Sequence, residues 1–387
     1  MTTIFINGRF LTQPTTGVQR YALELVRQWD RGLLTGKLDP DQWDFQLLVP
    51  STDLVQDPQL KRIPVQQAGS SNGQVWEQID LPGLSSTGIL FCPCNSAPLR
   101  SLYGKQPTIV TVHDLSTKYF PDAYSGAFRL WYDILMPAVF KHAQRIITVA
   151  QCERKSMAER YPRATPRIRV VQNGSIEPAE AIALGQGVPR LEDPHEPFLL
   201  YVGSMSRRKN VQGVLAAADL LTEEFPLLKT VIIGGQTKVF ADGPWEISSR
   251  LRERLIHRGQ VDDVEELFWF YRHARCFLFP SFFEASPLPP MEAMAAGCPV
   301  VASAIPSHHE RLGDAALYCD PNDAGDIARR AAQILRDPGL ANGLMTRGWK
   351  RAAEFTWARC ADETLRIIDE VAHEIPGPRK RKKGRAA

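Results

Sequence analysis

Short apolar stretches alternate with helical stretches along nearly the whole of this chain, in two successive sets. A strand–loop–helix alternation of this kind is typical of a parallel, doubly wound sheet. Ligands of such sheets bind at the carboxyl ends of the strands, so we expect the functional residues there. The predicted strands are residues 4–6, 45–49, 88–91, 108–112, 145–149 and 168–171 in the first set, and 198–203, 230–233, 276–279 and 299–302 in the second.

The 387 residues are enough for two domains of ordinary size. A stretch rich in alanine, glycine, proline and acidic residues, 177–197, is interpreted as the linker between them. The predicted fold class is therefore α/β, with two Rossmann-like domains facing a cleft. The predicted segments are a first domain over 1–180, a second over 195–356, a C-terminal helix over 357–375 that is a candidate to cross back to the first domain, and a disordered basic tail over 376–387.

The charge of the chain is unevenly distributed. There are 46 basic and 43 acidic residues, a net charge of +3, but residues 379–385 contain six of the basic ones. Without them 40 basic residues stand against 43 acidic ones, which does not suggest a nucleic-acid partner. The tail allows two interpretations: a solubilising end, or a segment attracted to anionic phospholipid.

Several classes of cofactor and compartment are disfavoured. No apolar run reaches the roughly 18 residues of a membrane span, and the N-terminus lacks the basic region of a secretory signal. The seven cysteines are scattered, which favours a reducing compartment. No dinucleotide or Walker-type glycine loop is present, and Asp39-Pro40-Asp41 lacks the context of a metal site. We expect a cytoplasmic protein without cofactor or metal, with peripheral binding to the inner face of the membrane as a further hypothesis.

The most informative segment is Phe279 to Ser303. A predicted strand is followed by a loop that places Glu284 at the carboxyl edge of the sheet. Pro290 suits the first turn of a helix and Glu292 lies in that turn, while Gly297 ends the helix. Two carboxylates therefore flank one loop–helix junction, where they could accept hydrogen bonds from the paired hydroxyls of a ribose or a hexose. Taken alone, Glu292 is better explained as a complement to the helix dipole.

Cationic, histidine and glycine residues lie at three further strand ends or helix starts. The run Arg207-Arg208-Lys209 follows the strand that ends at Gly203, and its charges could neutralise a diphosphate without a metal. His113 and Asp114 follow a buried strand, and Gly17 precedes a helix whose free N–H groups could approach an anion. Each has an ordinary alternative: an exposed basic loop, a satisfied buried histidine, a capping aspartate and a plain helix start.

Together these segments resemble the retaining glycosyltransferases of GT-B fold, a large family that includes bacterial mannosyl-, glucosyl- and rhamnosyltransferases. The family pattern is a loop glutamate, seven residues, a helix glutamate, and then Ala, small residues, Gly, x, Pro, Val and Val, which matches Glu284 to Val301. The match extends upstream over 265–274 and downstream over 306–321. It covers nearly all of the second domain and scattered landmarks of the first.

The resemblance implies a role for each matched residue. Glu284 would hold hydroxyls of the donor sugar, Glu292 the ribose of the nucleotide, and Lys209 the diphosphate. His113 would lie near the anomeric centre without acting as a general base, so His113 and Glu284 are the catalytic candidates. The other residues implied in donor or nucleotide binding are Gly17, Arg208, Ser286 and Leu288, with Arg207, Arg20, Asp114 and Asn173 as further candidates.

The chain departs from the family pattern at two places. The family often has Gly-Phe-Gly after the first glutamate, where this chain has Ala285-Ser286-Pro287, and a proline has no N–H to donate. Many members also place an arginine directly after the strand glycine, where this chain has Ser204. Arg208, or else Arg207, would then supply that charge.

The implied function is metal-independent transfer of a hexose, with retention of configuration, from a nucleotide diphosphate sugar to a glycan or lipid-linked acceptor. Residues 7–21 and 76–82 resemble bacterial polysaccharide mannosyltransferases, which favours mannose and, as donor, GDP-mannose over a UDP-sugar. Two alternatives stay open: a nucleotide-sugar epimerase or phosphorylase of similar fold, and a non-catalytic sugar-binding protein.

Overall fold

The computed structural model describes residues 2–121, 124–187, 190–191, 196–235 and 247–374. The chain divides into two compact units, residues 1–172 with 358–387 and residues 173–357. Each unit contains one sheet whose neighbouring strands are all parallel. The alternating pattern of the sequence therefore predicts the architecture of both units correctly.

The first unit has seven strands in the order β3-β2-β1-β4-β5-β6-β7. Because β1 has β2 on one side and β4 on the other, the winding of the chain changes direction between β1 and β4, and this is the switch point of the sheet. The strands are β1 Thr2–Asn7, β2 Trp43–Val49, β3 Val65–Gln67, β4 Ile89–Cys92, β5 Thr108–Thr111, β6 Arg145–Thr148 and β7 Ile168–Val170. The helices are α1 Gly17–Thr35, α2 Gly73–Ile79, α3 Leu81–Leu84, α4 Leu99–Tyr103, α5 Ser116–Tyr119, α6 Gly126–His142 and α7 Gln151–Arg160.

The second unit has six strands in the order β10-β9-β8-β11-β12-β13, with its switch point between β8 and β11. The strands are β8 Phe198–Val202, β9 Lys229–Ile233, β10 Leu255–Gly259, β11 Cys276–Phe279, β12 Val300–Ser303 and β13 Ala316–Cys319. The helices from here to the end of the described chain are α8 Pro178–Leu184, α9 Val211–Leu221, α10 Ser249–Arg252, α11 Val264–His273, α12 Pro289–Ala295, α13 Pro306–Leu312, α14 Ala324–Arg336, α15 Pro338–Ala353 and α16 Trp357–Glu374.

Helices cover both faces of the second sheet. Alternate residues of its strands belong to different cores, since side chains of a strand point to opposite faces in turn. Phe277 and Phe279 pack in a core with residues of α11 and α12, whereas Cys276 and Leu278 pack in another with residues of α9 and α14. This double burial explains why β8 and β11 read as continuous apolar runs in the sequence.

Three strands were not predicted, and all three lie at sheet edges. β3 is an edge of the first sheet, and β10 and β13 are the two edges of the second. An edge strand needs no continuous apolar run: β3 is exposed throughout and β10 contains His257 and Arg258. The apolar pattern used for prediction is therefore weak at these positions.

The predicted linker over 177–197 is wrong in its first part, because it contains helix α8. Pro178 lies in the first turn of this helix, where its missing N–H is not needed, and alanines favour the helical conformation. Ala181 is fully buried in the core of the second unit. The unit begins before the helix, since Ser175 pairs with Thr356 in a parallel bridge. Residues 188–189 and 192–195 lie outside the described part of the chain.

The last helix, α16, belongs to the first unit from residue 358 onwards. The Trp29 indole donates a hydrogen bond to the carbonyl of Ala361 at 3.1 Å, and Lys37 forms an ion pair with Asp362 at 2.8 Å. These contacts attach the end of the described chain to helix α1 and the loop after it. The predicted basic tail, 376–387, lies outside the described residues. Within the described ranges, no helix has both the length and the apolar character needed to cross a membrane.

Candidate functional site

The loops that follow β8 and β11 meet at the switch point of the second sheet. A 3-10 turn over Arg207–Lys209 follows β8, and the loop that contains Glu284 follows β11. Asn210 holds the two together: its side-chain amide donates to the carbonyls of Pro280 at 3.0 Å and Pro321 at 2.7 Å. Its side-chain oxygen caps helix α9, and its φ of 55° places it in the left-handed region that asparagine tolerates.

Two cations and one carboxylate form the centre of this site. The ammonium of Lys209 lies 2.6 Å from Oε1 of Glu284, and Nη1 of Arg208 lies 3.2 Å from the same oxygen. Arg208 also donates to the carbonyl of Phe283 at 2.6 Å, and Lys209 lies 5.0 Å from the centre of the Phe279 ring. With two positive charges facing one negative charge, the cluster carries a positive excess that suits an anionic ligand.

Burial is the largest influence on the pKa of both members of the Lys209–Glu284 pair. It lowers the pKa of Lys209 against the attraction of Glu284. On Glu284 burial acts in the opposite direction, but the charges of Lys209 and Arg208 outweigh it, so the pKa of Glu284 lies below its usual value. Glu284 is therefore ionised at neutral pH and acts only as a hydrogen-bond acceptor.

Arg207, the third cation of the run, is exposed. No ion pair to Arg207 is found in the part of the chain that the structure describes. Of the two arginines that the sequence left open, Arg208 is thus the one that the fold brings to Glu284. Its role in binding a donor stays a prediction.

Glu292 lies in the first turn of α12, as the sequence indicates, and is buried. The hydroxyl of Tyr271 donates to its carboxylate at 3.1 Å. The helix ends where expected, since Gly297 has a φ of 86° that a side chain would strain. The assignment of Glu292 to the ribose stays a prediction.

The segment that departs from the family pattern leaves polar atoms without partners. Asn173 donates to the carbonyl of Ser286 at 3.4 Å, which brings these two predicted residues together. The hydroxyl of Ser286 and the amide oxygen of Asn173 are buried and have no hydrogen-bond partner among the described residues. Leu288 precedes α12 and is nearly buried. Buried polar atoms without partners are rare in folded proteins, so these positions suit a polar ligand.

His308 is a site residue that the sequence reading missed. It is fully buried in α13, its ring lies 5.6 Å from that of Phe279, and its Nδ1 donates to the carbonyl of Ser303 at 3.0 Å. Burial lowers its pKa to about 4, against the attraction of Glu284, so the ring is neutral at physiological pH. A histidine at a helix start, here next to the exposed His309, carries no sequence signal that would have identified it.

In the first unit, His113 follows β5 and is buried against Tyr21, with the two rings 4.8 Å apart. Its Nε2 donates to the carbonyl of Pro93 at 2.9 Å, and its backbone N–H donates to Asn95 at 2.6 Å. Burial lowers the pKa of His113, so it too is neutral. The histidine is well satisfied by the protein, and a role beside the anomeric centre stays a prediction.

Asp114, Gly17 and Arg20 all take part in local turns or helix starts. Asp114 accepts a hydrogen bond from the backbone of Ser116 at 2.8 Å, so it holds the turn into α5. Gly17 is exposed at the first position of α1, where Thr16 and Gln19 form a capping box. Arg20 is half-buried in the same first turn. These contacts support the ordinary structural interpretation of each, and a binding role is added to it only as a prediction.

Two other features lie outside this site. No group of three or more His, Cys, Asp or Glu residues that could hold a metal ion is found within the described ranges. Asp39 accepts from the backbone N–H of Asp41 at 2.9 Å and so forms a turn of its own. A groove of about 560 Å³, lined in part by Pro197, Leu228 and Pro299, lies where the strands of the second sheet begin, at the opposite edge from Glu284.

Comparison with known proteins assigns the chain to a family. Residues 189–351 match the family model for glycosyl transferases group 1, and residues 86–175 match the model for glycosyltransferase family 4. The O-antigen chain mannosyltransferase B of Escherichia coli is 31% identical over 66% of this chain and 68% of its own length. The chain belongs to the group 1 glycosyltransferases.

Further relatives agree with this assignment. The O-antigen chain mannosyltransferase RfbU of Salmonella typhimurium is 26% identical over 55% of this chain and 57% of its own length. Among solved structures, a sucrose-phosphate synthase from Thermosynechococcus elongatus is similar with a TM-score of 0.70 at 19% identity, over 96% of this chain and 99% of that one. Anabaena HepE in complex with UDP and glucose is similar with a TM-score of 0.68 at 12% identity, over 95% and 99%. The predicted GT-B fold class is confirmed, and the enzyme is a glycosyltransferase.

Proposed function

We propose that this group 1 glycosyltransferase transfers mannose, with retention of configuration, from GDP-mannose to a glycan or lipid-linked saccharide. Both curated relatives described above are mannosyltransferases of O-antigen chains, at 31% and 26% identity. The nucleotide sugar acts as a substrate, and the transfer needs neither a cofactor nor a metal ion.

The observation that carries the proposal is the cluster of Lys209, Arg208 and Glu284 at the switch point of the second sheet. Departure of a nucleoside diphosphate develops negative charge, which a preorganised pair of cations stabilises. Arg208 is held in place by the carbonyl of Phe283 and by Glu284. The site therefore supplies, from side chains alone, the positive charge that a metal supplies in other transferases.

The ion pair within the cluster is arranged so that a donor can replace both of its partners. Lys209 and Glu284 are 2.6 Å apart and mostly buried, so the charge of Lys209 would be left uncompensated if Glu284 were simply withdrawn. A sugar diphosphate offers phosphate oxygens to Lys209 and hydroxyl donors to Glu284. Binding would thus exchange one internal contact for two contacts to the ligand.

Retention requires that the new bond form on the face from which the leaving group departs. Each buried histidine uses one ring nitrogen on a backbone carbonyl, and we assign no nucleophile to the protein. We therefore assign the acceptor's proton to the departing phosphate, in a front-face attack that the two cations support. Glu284 then orients the sugar and does not attack it.

Nucleotide release tests the proposal. The protein is incubated with GDP-mannose, UDP-glucose and a TDP-sugar together with a mannose oligosaccharide, and the nucleotide that is released is measured. We expect GDP release from the wild type and its suppression in Lys209→Ala and Glu284→Ala. Arg250→Ala and Glu223→Ala serve as matched controls, because they break an ion pair that is largely exposed.

The base of the nucleotide is tested separately by thermal stabilisation. Anabaena HepE was solved with UDP and with UDP-glucose, which makes uridine the competing assignment. GDP is expected to raise the melting temperature more than UDP or TDP at equal concentration. A larger stabilisation by UDP would overturn the guanine assignment. Full turnover by both Lys209→Ala and Glu284→Ala would overturn the assignment of the donor site.

A further inference from the structure

A serine side chain connects strands β11 and β12 of the second sheet beyond the point where they end. Ser281 comes two residues after β11, and Ser303 is the last residue of β12. The hydroxyl of Ser303 donates to the backbone carbonyl of Ser281, and both serines are fully buried. This polar contact lies at the carboxyl edge of the sheet, where ligands of doubly wound sheets bind.

His308 joins this contact from helix α13. Its Nδ1 lies 3.1 Å from the hydroxyl oxygen of Ser303 and 3.0 Å from the carbonyl oxygen of the same residue. The carbonyl can only accept, and the hydroxyl gives its own proton to Ser281, so Nδ1 carries the hydrogen. Burial lowers the pKa of His308 to about 4, so at neutral pH Nε2 has no hydrogen and is an acceptor.

The ring of Phe279 lies between His308 and the charged cluster of the candidate site. The centre of this ring is 5.6 Å from the centre of the His308 ring and 5.0 Å from the ammonium of Lys209. Lys209 in turn contacts Glu284 at 2.6 Å. Ser281 belongs to the same loop as Glu284 and precedes it by three residues. The contact between serine and histidine is therefore part of the same site as the charged cluster.

Two polar atoms of this group have no hydrogen-bond partner in the part of the chain that the structure describes. They are Nε2 of His308 and the hydroxyl oxygen of Ser281, and both residues are 0% exposed. Leaving a buried polar atom without a partner is costly, so such atoms are rare unless a ligand or an ordered water satisfies them. We therefore expect both atoms to bind a polar group.

The chemistry of the two atoms selects the kind of group. Nε2 offers only a lone pair, so it would repel an oxygen of a diphosphate, which also offers only lone pairs at neutral pH. A sugar hydroxyl, by contrast, can donate to Nε2 and accept from the hydroxyl of Ser281. The two atoms therefore complement the hexose of a nucleotide sugar, whereas Lys209 and Arg208 complement its diphosphate.

We propose that His308 and Ser281 bind hydroxyl groups of the donor hexose, beside those that Glu284 would hold. The resemblance to known glycosyltransferases gave no role to either residue. The assignment to the donor hexose rests on the glycosyltransferase function proposed above. The need of both atoms for a hydroxyl partner stands on the contacts of the second unit alone.

Two pairs of variants separate binding from packing. Ser281→Ala removes only the hydroxyl without a partner, whereas Ser303→Ala removes a hydroxyl that is used within the protein. His308→Asn keeps a polar atom near the position of Nδ1, and His308→Gln keeps one near the position of Nε2. A binding role predicts that Gln replaces the histidine better than Asn does, and a merely structural role predicts the reverse.

The affinities of each protein for GDP and for GDP-mannose are measured by calorimetric titration, and their ratio reports the contribution of the hexose. We expect Ser281→Ala and His308→Asn to lower the preference for GDP-mannose about fivefold, as for the loss of one hydrogen bond. His308→Gln is expected to lower it by less than about twofold, and the affinity for GDP alone should change little in these variants. An unchanged ratio in folded Ser281→Ala and His308→Asn would overturn the inference, as would an equal loss of affinity for both ligands.

The melting temperature without ligand is the second measurement. Deleting a buried hydroxyl without a partner removes the cost of its burial, so Ser281→Ala is expected to melt at or above the wild-type temperature. Ser303→Ala is expected to melt below it, because it breaks the contacts to Ser281 and His308. A clearly lower melting temperature of Ser281→Ala would show that a partner such as water already satisfies the hydroxyl in the free protein, and would contradict the inference.

The same titrations with UDP and UDP-glucose distinguish a failure of this inference from a failure of the proposed function. If the wild type binds the uridine ligands instead, the guanine assignment is wrong, and the ratio between UDP-glucose and UDP then judges His308 and Ser281 in the same way. A wild type whose affinity is raised by the hexose of neither donor would overturn the inference.

Discussion

The two switch points of the molecule carry the same kind of charged pair with a different charge balance. In the first unit one cation, Arg9, faces the carboxylate of Glu77, which also accepts from Asn7, Gln78 and Ser96. In the second unit two cations, Arg208 and Lys209, converge on one oxygen of Glu284. The shared topology places each pair at the ligand-binding edge of its sheet, and of the two pairs only the second carries an excess of positive charge.

Each unit also buries a histidine at this edge, and the pH dependence of the free energy of unfolding tests that burial. The pKa of His308 falls from 6.5 to about 4 on folding, so the unfolded chain binds the extra proton in that range. The free energy of unfolding is therefore highest above pH 6.5 and falls by about 3 kcal/mol as the pH falls toward 4. Chemical denaturation of the wild type and of His308→Gln between pH 4 and 7 measures it.

The histidine variants should differ in how steeply their free energy of unfolding changes with pH. His308→Gln is expected to flatten the pH dependence, and the exposed His309→Gln to leave it unchanged. His113→Gln should flatten it too, because burial also lowers the pKa of His113. Protonation of Glu284 also lowers the free energy of unfolding, but only as the pH falls below 4.5 through its lowered pKa. An unchanged slope in His308→Gln would show that His308 is not buried as described.

Glu284→Ala should give the largest effect on activity. The variant removes the acceptor for the donor's hydroxyls and leaves two cations without a carboxylate, so nucleotide release is expected to fall about a hundredfold, equivalent to about 2.7 kcal/mol. The melting temperature reports whether the variant is folded. Glu223→Ala, at an exposed ion pair, should keep wild-type turnover.

Substitutions in the run Arg207-Arg208-Lys209 should differ in their effect on the KM for the donor. Lys209→Met is expected to raise the KM for the donor about tenfold or more, since it removes the buried ammonium that would bind the diphosphate. Arg208→Met should have a similar or smaller effect. Arg207→Met should stay within about twofold, because its side chain is exposed and forms no ion pair with a described residue. Donor KM values of the three variants, measured side by side, test the order, and a stronger effect of Arg207 would reverse the assignment.

Salt should give the smallest effect. Raising the ionic strength from about 0.05 M to 0.5 M is expected to weaken GDP binding several-fold, because it screens the charges of Lys209 and Arg208. Calorimetric titrations of GDP at both ionic strengths measure the change, and equal affinity at both would contradict the positive excess of the cluster of Lys209, Arg208 and Glu284.

Local sequence patterns predict much of the second unit. The strand, loop and helix around Glu284 and Glu292 lie within one continuous segment, and their order is fixed by Pro290 and Gly297. Lys209 and Glu284 are 75 residues apart, yet each directly follows a strand at the switch point. Parallel sheet topology then brings them together, as the resemblance implied.

In the first unit, local sequence patterns do not predict which charged residues meet. Arg9 and Glu77 are 68 residues apart, and Glu77 lies in a helix that packs beside the sheet, so no strand pattern connects them. Residues 7–21 and 76–82 were singled out by their resemblance to polysaccharide mannosyltransferases, but that resemblance gave no role to Arg9 or Glu77. The edge strands and helix α8 were not predicted for a related reason, because tertiary contacts determine them more than the local sequence pattern does.

A structure of the enzyme with GDP-mannose tests the central claim most directly. The account predicts that Lys209 releases Glu284 and that both Lys209 and Arg208 lie within hydrogen-bonding distance of the diphosphate, with hydroxyls of the mannose on Glu284. A diphosphate bound elsewhere, with the 2.6 Å contact between Lys209 and Glu284 intact, would contradict it.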